Sequence, residues 1–222
     1  MELYTRYPMM QPYLGSNFHG VGIPALLFIG ESHYLPEGSV QHLTPEAWYG
    51  GSWSNLNEDE RAYISTDAVL RNSKSMGFNN KAHSIWRNSF SVVNEHGPRY
   101  RDHTQVADDI AFCNFFLRPG LKGKSLFVAR EDVDVANEAI LFILEKLKPS
   151  AVVFLSSLAR YHFRHVNAVP FVSTPHPSSR WWNRASAKYG GRSGRQVLAD
   201  YIRALNWSKS FANAQEIVTA EK

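Results

Sequence analysis

The chain is poor in cysteine: Cys113 is the only one among 222 residues. A single thiol closes no internal disulfide and cannot supply a four-thiolate zinc or iron–sulfur site, so no iron–sulfur cluster is expected. The nine histidines are scattered without companion ligands at a familiar spacing, and no metal or other cofactor is expected. Long apolar runs are also missing. The stretch Ile23–Ile29 is interrupted at Pro24, far short of the roughly 20 residues a membrane-spanning helix needs. No basic-then-apolar leader pattern opens the sequence. These absences lead us to expect a cytoplasmic protein, or a nuclear one if the source has a nucleus, with no membrane partner and a monomeric state. One further absence is local. Between Lys146 and Ala199 there is no Asp or Glu, whereas Lys146, Lys148, Arg160, Arg164, Arg180, Arg184, Lys188, Arg192 and Arg195 all fall there. A stretch so uncompensated draws phosphates, or it is simply a solvated basic face.

What is present fits one domain spanning 1–222, with 44% apolar residues to build a core. Four short apolar runs read as strands: Ala25–Ile29, Asp109–Asn114, Ala151–Leu155 and Val169–Ser173. They are continuous rather than alternating, as strands covered on both faces are. Between them lie helical patterns at Lys81–Val93, Val133–Leu147, Ser157–Arg164 and Gly194–Leu205, with Asp132 or Asp134 available to the second one's N-terminus. The alternation predicts an α/β fold, a three-layer α/β/α sandwich around a central four-stranded parallel sheet. Residues 35–80, rich in Gly, Ser, Asn and Trp, break the rhythm and read as an insertion over the mouth of a pocket. A polar extension is expected from about residue 208.

Polar clusters sit where open α/β sheets bind ligands, beyond the carboxyl ends of strands. Gly30-Glu31-Ser32-His33-Tyr34 follows the first strand, Asn114 ends the second, and His176-Pro177-Ser178-Ser179 follows the fourth. Each alone could be a capped turn. In this order and spacing, over about Pro24–Leu205, they resemble the uracil-DNA glycosylase superfamily, which has a first motif opening on Gly, a base-reading Asn on the second strand and a His-Pro-Ser second motif. The resemblance implies a uracil-DNA glycosylase-like fold and hydrolysis of the N-glycosidic bond of uracil, or of another deaminated base, flipped out of single- or double-stranded DNA. It places Gly30, Tyr34, Asn114 and Ser178 around the base. Asn114 would match the donor and acceptors of a uracil edge, and His176 would steady the anionic leaving base. Glu31 would stabilise the oxocarbenium-like sugar or activate water. Ser32 stands where the most efficient branch carries Asp, and a hydroxyl without a partner base activates water poorly.

After the second motif comes Arg180-Trp181-Trp182-Asn183-Arg184. By the same resemblance Trp181 or Trp182 would fill the gap left by the flipped base, with Arg180, Arg184 and the later Arg192 on phosphates. The atypical first motif leaves two alternatives open: a catalytically weak or inactive nucleic-acid-binding protein of the same fold, and an enzyme of small nucleosides or nucleotides.

Overall fold

The computed structural model describes residues 2–20, 22–97, 100–121, 126–165, 169–205 and 207. In chain order the elements are helix α1 (Glu2–Arg6), strands β1 (Tyr13–Leu14) and β2 (Leu26–Gly30), helices α2 (Pro45–Gly50), α3 (Glu58–Ile64), α4 (Thr66–Ser75) and α5 (Ser84–His96), strand β3 (Ile110–Asn114), helix α6 (Arg130–Leu147), strand β4 (Ala151–Phe154), helix α7 (Ser157–His162), strand β5 (Phe171–Ser173) and helix α8 (Gly194–Ala204). The fold is α/β. All four expected strands and the four expected helices form, each within a few residues of its apolar pattern.

The sheet differs from the expectation in one strand. It is five-stranded and mixed, in the order β1-β3-β2-β4-β5. β3, β2, β4 and β5 run parallel, and the two-residue β1 adds antiparallel to β3 through Tyr13 opposite Phe112. Two residues carry no readable periodicity, so β1 leaves no mark in the sequence.

Strand residues alternate between two cores. Leu27, Ile29, Ala111, Cys113, Val152 and Phe154 pack under α1, α2, α3, α6 and α7. Leu26, Phe28, Ile110, Phe112, Val153 and Leu155 pack under α4, α5 and α8. Both faces being covered explains why the strands read as unbroken apolar runs.

The segment expected as an insertion is built into both cores. Its Trp48 and Ile64 are fully buried in the first, and Leu70 is fully buried in the second. It contains three helices, two of them capped from the sequence side: Thr44 accepts from the backbone of Ala47, and Asn57 and Glu60 exchange capping bonds. The extension expected from residue 208 lies outside the described residues.

Candidate base-binding site at the strand ends

The chain goes from β2 to its neighbour β3 on one side through α2–α5, and from β3 back past β2 to β4 on the other side through α6. The crevice where such connections diverge, at the carboxyl ends of β2 and β4, is the usual ligand position of an open α/β sheet. Glu31 and Ser156 meet there: the Ser156 hydroxyl donates to the Glu31 carboxylate at 2.6 Å. Ser156 also caps α7 by accepting from the Ala159 amide. Ser156 was not singled out from the sequence. Its signal is its place immediately past a strand at the divergence of the connections.

On the other side of Glu31, Asn114 pairs in register with Gly30. By strand alternation its side chain points to the α5/α8 face, the side of Phe112. It lies flat over Gly30, where any Cβ would collide with its Oδ1. Glycine is therefore required at position 30 for this amide to sit where it does. Asn114 is 8% exposed and its carboxamide has no hydrogen-bond partner among the described residues.

The loop after β5 approaches on the same face. Pro175 packs against Gly194 of α8, and the Asn88 side chain of α5 donates to the Pro177 carbonyl at 2.8 Å. His176 thus stands on the same side of the sheet as Asn114. Its Nδ1 accepts from the Ser178 amide at 3.2 Å and lies 2.6 Å from the Ser178 hydroxyl. An acceptor at Nδ1 puts the ring proton on Nε2, which becomes a free donor. Burial lowers the His176 pKa below the ordinary imidazole value, so the neutral tautomer is the resting form. Ser178 itself is exposed; its bonds orient the imidazole.

Ser32 takes another part. Its hydroxyl accepts from the Gly120 amide at 3.0 Å and reaches the carbonyls of His33 and Arg118 at 2.7 and 3.1 Å. It ties the first-motif loop to the turn after β3 and, among the described residues, bonds no proton-accepting side chain, the circumstance in which a hydroxyl activates water poorly. His33 turns inward to Thr66 (3.1 Å), and burial lowers its pKa to about 4. Tyr34 is half exposed; burial first and the nearby Glu31 charge second raise its phenol pKa.

The tryptophan pair splits. Trp182 is 1% exposed and belongs to the core beneath α5 and α8, so it is no wedge. Trp181 is 40% exposed, with the Arg180 guanidinium stacked 4.5 Å from its ring centre. Arg184 is exposed. Arg192 is engaged within the protein, ion-paired to Asp200 at 3.0 Å and donating to the Tyr189 carbonyl, so it is not held ready for phosphate as expected. Two cavities of about 350 and 290 Å³ lie away from Asn114. The first sits between α1 and the end of α6; the second is lined by residues 35–39, His42 and Leu121. Among the described residues no helix is long and apolar enough to cross a membrane, and no group of three or more His, Cys, Asp or Glu is placed to hold a metal ion.

No protein-family model matches the chain, and a search of curated proteins finds no significant match.

Proposed function

We propose that the protein is a uracil-DNA glycosylase-like enzyme that removes uracil or another deaminated base from DNA. The observation carrying this reading is the Asn114 carboxamide, unpartnered among the described residues and seated on Gly30 at the end of a parallel strand. A flipped base offers the complementary donor and acceptor edge. The neutral His176, with Nε2–H free, is suited to donate to the oxygen that gains charge as the base departs, where a preset donor acts most strongly. Glu31, held by Ser156, is the carboxylate available to the electron-poor sugar or to water. The parallel order β3-β2-β4-β5, flanked by helices on both faces, supports the same family reading.

The test is release of free base from oligonucleotides carrying uracil, hypoxanthine or xanthine, single- and double-stranded. Release is expected from at least one, falling about 100-fold or more in His176→Ala, as removal of an oxyanion donor does. Absence of release from all of them ends the enzymatic reading. The internally committed Ser32 hydroxyl favours a second reading, a binder of the same fold without turnover. It predicts salt-sensitive oligonucleotide binding, weakened by Arg180→Gln and Arg184→Gln, with no base released.

A further inference from the structure

Glu31 is held from both sides of the crevice. Its backbone belongs to the β3 side: the Glu31 carbonyl accepts from the Phe116 amide at 2.9 Å, and the Gly30 carbonyl accepts from the Phe115 amide at 3.1 Å. Its side chain crosses to the β4 side, where the Ser156 hydroxyl donates to Oε2 at 2.6 Å. Ser156 is itself firmly seated. The Leu155 amide before it bonds the Ile29 carbonyl at 2.8 Å, its own backbone is extended at the start of α7, and it is 1% exposed. A hydroxyl has one proton to give. The Ala159 amide points its proton at Oγ (3.2 Å), so the hydroxyl proton is left for the carboxylate. A hydrogen bond to a charged acceptor is about twice as strong as a neutral one. Among the described residues no cation pairs with Glu31, and its Oε1 has no partner and reaches solvent. One carboxylate oxygen is therefore fixed and the other is open.

We propose that Ser156 is a positioning residue for base excision: by fixing Oε2 at the end of β4, it aims Oε1 of Glu31 at the sugar of the flipped nucleotide or at the attacking water. This role deepens the glycosylase reading and rests on it. A carboxylate acts on a developing cation, or on a water, only from a narrow range of positions, and a misplacement of about 1 Å costs on the order of 100-fold in rate. Glu31 stands in a loop on a long side chain, whereas Ser156 sits where a strand passes into a helix, and such elements hold a group more exactly than loops do. Without the hydroxyl, nothing among the described residues orients the carboxylate. Ser156 is too deeply buried to touch the nucleic acid. Its effect therefore belongs to kcat and not to KM.

Base release is measured with the full chain on oligonucleotides carrying uracil, hypoxanthine or xanthine, and the variants are compared on the one that the unmodified protein acts on. Ser156→Ala should lower kcat about tenfold or more while KM stays within about twofold. Ser156→Thr keeps the hydroxyl, and the extended backbone suits a β-branched residue, so its kcat should stay within about threefold of the unmodified protein. Because Ser156 also caps α7, two further variants separate positioning from damage to the helix. Ser156→Gly lacks the hydroxyl yet remains an acceptable helix start, and it should lose kcat as Ser156→Ala does, or in its place should that variant not fold. Added to Glu31→Gln, Ser156→Ala should lower kcat no further, whereas a loss unrelated to Glu31 would multiply with it. Unchanged kcat in Ser156→Gly, or multiplied losses in the double variant, overturns the role of Ser156 and leaves the glycosylase reading standing. No release by the unmodified protein from any of the three substrates ends that reading and this role with it.

Discussion

Adjacent residues of the same type do different work here, and burial decides which. Trp182 fills the core and Trp181 lies half in solvent under Arg180. Trp182→Ala should cost about 3–5 kcal/mol in chemical denaturation, the usual loss for a large buried aromatic. Trp181→Ala should change stability by no more than about 0.5 kcal/mol yet weaken single-stranded oligonucleotide binding by the roughly 1–3 kcal/mol of a base–aromatic stack. Equal stability losses from the two changes would contradict the assignment. The histidines divide in the same way. His33 has its pKa lowered to about 4 by burial, against about 6.5 in the unfolded chain. A lowered imidazole value means that, between these two pH values, the unfolded chain binds a proton the folded protein refuses. Stability therefore declines as pH falls from about 6.5 to about 4 and is level below that. Between pH 7 and pH 5 the loss from His33 should be about 2 kcal/mol. His42 and His83 shift in the same direction through burial, so His33→Gln should remove only its own share of the slope. Urea denaturation of both proteins at the two pH values checks this, and an unchanged slope would count against a neutral buried His33.

At the scale of elements, the exit of β3 is held by a buried ion pair. Arg118 donates from Nε and Nη2 to Asp132 at 2.8 and 2.6 Å, and both side chains are almost wholly buried. Asp132 also accepts from the Tyr49 hydroxyl and from the Ala129 amide that starts α6. One carboxylate thus joins α2, α6 and the turn that follows Asn114. Asp132→Ala leaves a buried guanidinium unpaired and should cost about 3–5 kcal/mol, measured by denaturant midpoint at constant slope. A cost under about 1 kcal/mol would mean that water reaches Arg118. From sequence, Asp132 is recognisable as a helix-start residue, because N-terminal acids recur there; its pairing with Arg118 is a tertiary fact without periodicity. The same division holds across the fold. The four parallel strands and α5–α8 were legible because each carries a continuous apolar run or a three-to-four stripe. β1 was not, being two residues long, and the three short helices of 35–80 were not, because they bury isolated residues such as Trp48 and Leu70 instead of a stripe. At the site, Gly30, Glu31, Asn114 and His176 were legible from their places after strands. Ser156 was not, since a serine capping a helix looks the same whether or not its hydroxyl also holds a carboxylate. The inward commitments of Ser32 and Arg192 depend on partners distant in sequence or on a later helix.

For the whole molecule, the basic stretch is less naked than its composition suggests. Acids from other parts of the chain reach it: Asp134 pairs with Arg164 at 2.8 Å, Asp200 with Arg192 at 3.0 Å and Glu95 with Arg195 at 2.5 Å. Among the described residues, Arg180, Arg184 and Lys188, in the loop between His176 and α8, have no carboxylate partner, and neither have Arg160 on α7 or Lys146 and Lys148 at the end of α6. Half of the unpaired cations of the stretch therefore stand in the loop beside the candidate site. Cations already paired release few counterions when a phosphate arrives, whereas unpaired ones contribute about 0.7 each to the salt slope on single strands. Three such contacts give an expected log–log slope near −2 for a short single-stranded oligonucleotide, measured by fluorescence anisotropy over a salt series. Arg180→Gln with Arg184→Gln should lower its magnitude by more than about 1, while Arg164→Gln with Arg195→Gln should leave it nearly unchanged. The reverse ranking would move the nucleic-acid path to the α6 and α8 flanks and away from Trp181, and with it the part proposed for that residue.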